Sequence, residues 1–411
     1  MKVLHIIPSV APVRGGPSYA AIDTVKALRN LEVDAEIVTT NDNGAELLDV
    51  PLGKLVQYHR VPIRFFPRFS PPLNFVKDFV FSTEFTKWLW SNIESYDLVH
   101  LHLMFNYPCT AAMIIARRKK IPYIVRPSGL LCNWSLQQKS LKKQLYLKAI
   151  ELANLNQAQA IEYTSKLEQQ EAATLNLKSS NLVLPLGLYL PEAIADARVR
   201  LRQKLSLAED EPIILFMSRL HHKKGLEYLI PALQKLDNRP FTFLLAGSGD
   251  PSYEAQIVNL LKASGIYDRT HIAGFVTGKE KDLFLQGSDI FALTSHSESF
   301  GLAVLEAIAA GLTVVTTPKV PLASVVEEHQ LGSITTLNID DIARSLQQCL
   351  DKLKDRDLTQ TRKHRSHQLI ISQYTWESIA IAMKQVYQQI IEEQALTCDP
   401  KIFFSGERKM L

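Results

Sequence analysis

The sequence predicts an α/β protein built of two doubly wound domains, and three observations predict it. Short apolar strands alternate with helical patterns, the alternation restarts near the middle, and 411 residues exceed one ordinary core. Such alternation implies parallel sheets covered on both faces by helices. The predicted domains are 1–188 and 189–373, with a cleft between them. Ligands of open parallel sheets bind beyond the carboxyl ends of the strands, so chemistry is sought where strands hand over to helices.

The opening MKVLHIIPSV is apolar but short and broken by Pro8, so it reads as a first strand and not as a signal peptide. It leads through Gly15, Gly16 and Pro17 into a helix with Ala21, Val25 and Leu28 on one face. AEIVTT, DLVHLHL and PYIVRP follow as strands, then a polar helix from about Leu136 to Leu155, then AIEYTS and NLVLPLG. The polar stretch Pro191 to Glu211 spans the link and an early helix of the second domain. There the pattern restarts with PIILFMSRL, a helix from Gly225 to Leu236, FTFLLAG, THIAGF, DIFALTS, the helix within HSESFGLAVLEAIAAG, and TVVTT.

Hydrophobic residues at 46% and charged residues at 21% describe a globular chain with ample core. The net charge of +4 is uneven: up to Gly187 there are 21 Lys and Arg against 15 Asp and Glu, or +6, and the remaining 25 against 27 give −2. This modest excess argues against a nucleic-acid binder and permits weak attraction to an anionic surface. Cys109, Cys132, Cys349 and Cys398 show no CxxC spacing and read as free thiols in a reducing compartment. No apolar run approaches the roughly 20 residues that span a bilayer. A cytoplasmic protein is the expectation.

In SRLHHKKG, at a strand-to-helix handover, Arg219 and Lys224 can aim at one point. A guanidinium that binds two oxygens and an ammonium that acts as a point charge suit a diphosphate. Gly247 and Gly249 in LLAGSGD offer a tight turn or a close backbone approach to a ligand. Gly274, Phe275 and Val276 form a strand end able to meet a base through backbone atoms. In HSESFGLAVLEAIAAG, Ser297 and Ser299 are good caps and place the helix start near Phe300. If one helix carried both Glu298 and Glu306, they would stand about 12 Å apart along its axis. Carboxylates that share a scissile glycosidic bond lie about 5 to 9.5 Å apart, so the spacing better suits two ends of an extended nucleotide sugar. Glu306 would take the ribose hydroxyls and Glu298 those of the sugar, with N–H groups from Phe300 through Gly301 to Leu302 facing phosphate or sugar.

With these residues in view, the second half resembles glycosyltransferase family 4, retaining enzymes of the GT-B fold with two Rossmann-like domains. SRLHHKKG is similar to the family's G-R-L-x-x-x-K-G, with Ser218 for the first Gly, and ESFGLAVLEAIAAG matches its E-x7-E signature. RGGPSYAA, which contains Gly16, resembles the Gly-rich first turn. YTWESIAIAMKQVYQQI resembles the helix that crosses back to the first domain, giving a returning helix at 374–395 and a tail at 396–411. The resemblance implies that Arg219 and Lys224 hold the donor diphosphate, Glu306 the ribose, and Glu298 with Phe300 and Gly301 the sugar. It implies retaining transfer from a UDP-, GDP- or ADP-sugar to a glycan or lipid-linked acceptor, in polysaccharide or glycolipid biosynthesis, with no cofactor. A GT-B sugar-nucleotide epimerase and a catalytically inactive nucleotide-sugar binder are the alternatives.

One departure stands in the first half. Where the family carries the histidine of P-H-G, RPSGLLCNWSLQQ has Ser128. A hydroxyl can bond a sugar oxygen but carries no charge near neutral pH, so Arg126 is expected to supply the cation on the acceptor side. His100 and His102 share one strand face. No third ligand for a metal is evident in the sequence, so they read as cleft-lining or core residues, with His102 on the acceptor side. DRD at 355–357 has a D-x-D spacing but lies in a charged run, and no metal is expected. RRKK at 117–120 with Lys139, Lys142, Lys143 and Lys148 reads first as a solvated face, and as a peripheral hold on anionic headgroups if the acceptor is lipid-linked.

Overall fold

In a computed structural model of the chain, which describes residues 1–69, 79–132, 135–136, 140–236 and 239–398, two large sheets are formed. The tail from 399 on and Lys139 lie outside the described residues, as does the side chain of Lys142. The chain divides into one unit of Met1–Gly187 with the segment from Trp376 onward, and a second of Leu188–Thr375. Gly187 marks the exit: a Cβ there would lie 2.7 Å from Cδ2 of Trp376, which opens the returning helix.

The first sheet has the spatial order Ser180–Val183, Ala160–Tyr163, Tyr123–Arg126, Leu98–His102, Lys2–Ile6, Asp34–Thr40, Val61–Phe66 and Leu55–Tyr58. Neighbours pair in parallel until the final hairpin, which is antiparallel. His59 and Arg60 turn that hairpin with φ of 51° and 66°. Two left-handed residues are what a two-residue type I′ turn demands, usually met by Asn-Gly, and without that signal the sequence reading missed the hairpin.

The second sheet is parallel, in the order Thr270–Gly274, Thr242–Ala246, Ile213–Met217, Ile290–Leu293, Thr313–Thr316 and Gly332–Ile334. IILFM, TFLLA, IFAL and TVVT are buried at every position, as strands covered on both faces must be. Strand order reverses between Ile213–Met217 and Ile290–Leu293, which makes their carboxyl ends the switch point of this domain. Both sheets agree with the predicted fold class.

The last helix, Trp376–Cys398, packs on the helix Gly16–Asn30 of the first unit. Lys384 Nζ donates to the Leu31 carbonyl at 2.9 Å, a cation at the C-terminal end of the helix it covers. Its Tyr387 is wholly buried and lies 2.5 Å from His100 Nδ1. Around that contact the sheet buries a polar chain. His100 Nε2 faces Glu162 at 3.2 Å, Arg126 Nε donates to Glu162 at 2.7 Å, and His5 Nδ1 lies 2.9 Å from His102 Nε2.

Two acceptor-side expectations are thereby corrected. Arg126 is 1% exposed and committed to Glu162, with Thr24 Oγ1 at 3.4 Å, so it offers no cation to a ligand. His102 is 2% exposed and stacked on His100, so it lines the core. The sequence also missed His5 as a third histidine: the ring nitrogens of His5, His100 and His102 lie within 4.8 Å of one another. The His5–His102 hydrogen bond uses two of those nitrogens, and the Arg126 charge opposes a further cation.

Burial, then the charges of His100 and Arg126, push the pKa of His5 well below its ordinary 6.5, and His102 is lowered likewise. Burial would raise Glu162, but Arg126 and His100 hold it below its usual value, while Tyr387 is raised and stays a donor. A histidine with a depressed folded pKa binds fewer protons than its unfolded form. Its contribution is therefore intact above about 6.5 and is lost as pH falls from there toward the folded value. The thermal stability of the first domain should thus fall from pH 7.5 to 5, by up to about 1.4 kcal/mol per pH unit for each of His5 and His102. A midpoint that stays level across that range would contradict the buried neutral cluster.

Candidate active site

The loop Ser218–Gly225 follows strand Ile213–Met217, and the segment Thr294–Gly301 follows strand Ile290–Leu293. These loops leave the sheet on the two sides of the switch point. Lys224 Nζ donates to Glu298 Oε1 at 2.6 Å, and the buried Ser295 hydroxyl donates to the same oxygen at 2.6 Å. The Lys224 and Glu298 side chains are only 13% and 12% exposed. The Glu298 N–H bonds the Lys319 carbonyl at 3.2 Å, and the His296 N–H bonds the Lys223 carbonyl at 2.9 Å. Sequence spacing suggested the cation and the acid but neither Ser295 nor the two backbone ties.

Arg219 is exposed at the head of its loop. The loop's field is legible at His221, whose pKa is lowered by burial and then by Arg219, His222, Lys224 and Lys223. Such a field suits an anion.

The helix that carries Glu306 begins at Leu302 and ends at Ala309. Gly301 caps it with φ of 93°, a left-handed conformation that delays the start by two residues from the expected Phe300. Glu298 is therefore in the loop, and the 12 Å spacing along one helix does not apply. Phe300 is 4% exposed and anchors the loop in the core, so only its backbone is free to meet a ligand. Glu306 pairs with Lys281 of the helix Gly278–Gly287 at 2.9 Å, the two side chains being 30% and 33% exposed. Lys281 had no motif to announce it.

Gly247 and Gly249 serve the protein's own backbone. A Cβ on Gly247 would lie 1.8 Å from the Ser218 carbonyl oxygen, and one on Gly249 would lie 2.0 Å from that of Leu220. The Gly247 N–H is taken by the Gly274 carbonyl at 2.7 Å, which corrects its assignment to ligand binding. Val276 is 8% exposed, while Phe275 beside it is 75% exposed.

In the first domain, Gly15 turns with φ of 74° into the helix Gly16–Asn30, and Gly16 is exposed at its start. Ser128 is half-buried with φ of 54°, a left-handed conformation unusual for serine and held by the turn Pro127 to Cys132. Asp355 of the DRD run caps the helix Arg356–Gln373 by accepting from the Leu358 N–H at 3.0 Å.

Two family models match this chain. Glycosyl transferase 4-like domain covers residues 15–187, and Glycosyl transferases group 1 covers residues 198–366. An uncharacterized glycosyltransferase of Methanocaldococcus jannaschii is 25% identical over 311 residues, 73% of this chain and 77% of that protein. The D-inositol 3-phosphate glycosyltransferase of Xylanimonas cellulosilytica is 30% identical over 216 residues, 50% of this chain and 49% of that protein. Among solved structures, Anabaena HepE in complex with UDP superposes with a TM-score of 0.75 at 20% identity, over 95% of this chain and 100% of that one. Sucrose-phosphate synthase from Thermosynechococcus elongatus gives 0.73 at 18% identity, over 96% and 100%. At these identities the structures speak for the fold. The chain belongs to the glycosyltransferases of GT-B fold, its first half a glycosyl transferase 4-like domain and its second a member of the group 1 family.

Proposed function

We propose that this glycosyltransferase moves a sugar, with retention, from a nucleoside diphosphate sugar to a glycan or lipid-linked acceptor in polysaccharide or glycolipid biosynthesis. The observation that carries the reading is Lys224 bonded to Glu298 at the switch point, in the positive field of the Arg219 loop. Lys224 and Arg219 stabilise the departing diphosphate, where charge grows in the transition state. Glu298, held by Ser295 while Lys224 turns to phosphate, accepts from the sugar hydroxyls. Glu306 exchanges Lys281 for the ribose hydroxyls. The acceptor hydroxyl attacks from the leaving-group face and passes its proton to the diphosphate oxygen, which gives retention without a covalent sugar–enzyme bond. Ser128 bonds the sugar or acceptor from the first domain. The Anabaena structures that hold UDP and UDP-glucose support a uridine donor.

The lipid-linked acceptor draws support from the segment Ser140–Leu155. It is an α-helix to Tyr146, a wider π-helical turn over Leu147–Glu151, and α again to Leu155. Leu141 and Leu145 are 81% and 69% exposed, with Lys148 exposed beside them. No helix among the described residues is long and apolar enough to cross a membrane, so the contact proposed is peripheral.

Incubation with UDP-, GDP- and ADP-sugars and with candidate lipid and glycan acceptors should give a product of the donor's own anomeric form, read by NMR. Lys224→Ala should lower turnover by roughly 10² to 10³, as for loss of one transition-state donor, and a rate within threefold of wild type would remove Lys224 from this role. Turnover should persist in excess EDTA, because side-chain cations carry the leaving-group charge. Loss on chelation with recovery on Mg²⁺ or Mn²⁺ would show that a metal carries it instead. The protein should sediment weakly with anionic liposomes and be released at high salt. Equal sedimentation with neutral liposomes would contradict an electrostatic contact.

A further inference from the structure

An open cavity of about 1100 Å³ lies at the end of the second sheet opposite the donor loops. Its wall includes Pro212, Ser288, Asp289 and Gly311, which come just before strands Ile213–Met217, Ile290–Leu293 and Thr313–Thr316. The donor loops follow the first two of these parallel strands. At about 3.3 Å per residue, the two ends stand roughly 16 Å apart. Lys354 and the first turns of the helix Arg356–Gln373 form a second side of the wall, and Arg198, Glu209 and Asp210 a third.

Positive charge prevails there. Arg198, Lys354, Arg356, Arg362 and Lys363 face Glu209, Asp210 and Asp289, and Asp289 is already paired with both Arg198 and Arg202. Lys354, Arg356 and Lys363 are exposed on the rim and make no salt bridge among the described residues. Arg362 lies deeper, 7% exposed. Its Nη2 donates to the Gly311 carbonyl at 3.2 Å, while its Nε is buried without a hydrogen-bond partner. The Ser288 hydroxyl in the same wall is buried and equally unpartnered. Burial lowers the pKa of Arg362 to about 10, and Lys363 is lowered by burial, by Arg362 and by Arg198. Cations crowd here with too few carboxylates, and buried polar groups as a rule find partners.

We propose that this cavity binds a phosphorylated sugar or polyol, with its phosphate on Arg362, Lys363 and Arg356 and its hydroxyls on Glu209, Asp210 and Ser288. A free guanidinium N–H beside two further cations suits a dianion, and carboxylates opposite suit hydroxyl donors. The same carboxylates repel a second anionic group, which disfavours a polyphosphate. Through Arg362 and Gly311 the ligand sits at the C-terminal end of the helix Leu302–Ala309, whose first turn belongs to the donor site. Nothing in this assignment requires the donor chemistry proposed above.

Calorimetric titration of the full chain with glucose 6-phosphate should show saturable binding, roughly tenfold tighter than for inorganic phosphate or glucose. Arg356→Glu combined with Lys363→Glu, both surface changes, should weaken it by roughly tenfold or more. Lys363→Arg should retain it, and Lys224→Ala should leave it unchanged because that variant alters only the donor site. Circular dichroism and melting confirm that the double variant is folded; Lys363→Gln alone should give a smaller loss in the same direction. No saturable binding, binding no tighter than that of inorganic phosphate, or loss in Lys224→Ala with retention in the double variant would each overturn the proposal.

Discussion

The two loops at the switch point of the second sheet depend on a backbone contact that only glycine permits. A Cβ on Gly225, whose φ is +67°, would lie 2.1 Å from the Thr294 carbonyl oxygen. The Thr294 hydroxyl donates in turn to the Gly225 carbonyl at 3.0 Å. This contact fastens the loop after one strand to the loop after its neighbour, at the place where strand order reverses. Lys224 immediately precedes it and Glu298 follows it by four residues, so their side chains meet. Gly247 and Gly249 repeat the device one strand further out, where the Leu220 N–H also bonds the Ser248 carbonyl at 2.9 Å. The loop that carries Arg219 and Lys224 is thus clamped from both sides by backbone, so its main chain is fixed before any ligand arrives. A site ordered in this way spends little of its binding energy on arranging itself.

Two ion pairs mark this end of the second sheet. In each, a lysine rests on a glutamate of the E-x7-E motif, Lys224 on Glu298 and Lys281 on Glu306. The Lys281–Glu306 pair is about one-third exposed, so water screens it and its exchange for other partners costs little. Lys224–Glu298 is drier, and removing the cation from a half-buried carboxylate would be expensive without a substitute. Ser295 offers one: its hydroxyl donates to the same Glu298 Oε1, so the acid keeps a hydrogen bond when the cation is withdrawn. Neutral partners that remain during the exchange let the cation move without stranding the acid.

The fold was legible because buried parallel strands are continuous apolar runs, and IILFM or TVVT has no other good reading. The sequence places Arg219, Lys224 and Glu298 in loops that follow strands of the second sheet, as the structure does, while Glu306, inside the helix Leu302–Ala309, was singled out by its spacing from Glu298. Other features were hidden for physical reasons. Gly301 looks like any residue of a helix start until its left-handed φ shortens the helix. Gly247 and Gly249 read equally as ligand approach or as loop packing, since a missing Cβ does not say which backbone comes close. Arg126 looked like a cation for the site because sequence shows a strand end but not its depth. Its partner Glu162 lies 36 residues away on the next strand, and no local pattern connects them.

The same distance explains why the first sheet tolerates so many polar groups. His5 pairs in register with His100 and His102 with Arg126, so three neighbouring strands bring their polar side chains to one place. The matching strands of the second sheet carry Leu215 beside Phe291. An apolar face of that kind accepts a covering helix in several positions, because hydrophobic contact has no direction. The histidine face accepts one. His100 Nε2 lies 3.2 Å from Glu162 Oε2; with the ring proton on that side, its Nδ1 needs a donor, and the Tyr387 hydroxyl on the returning helix supplies it. A slip of that helix by one residue would leave the ring nitrogen and the hydroxyl buried and unpaired, at about 1 to 3 kcal/mol each. The polar chain therefore adds little to the attraction between helix and sheet but fixes where the helix rests, and with it the point at Gly187 and Trp376 where the chain leaves and re-enters the first domain.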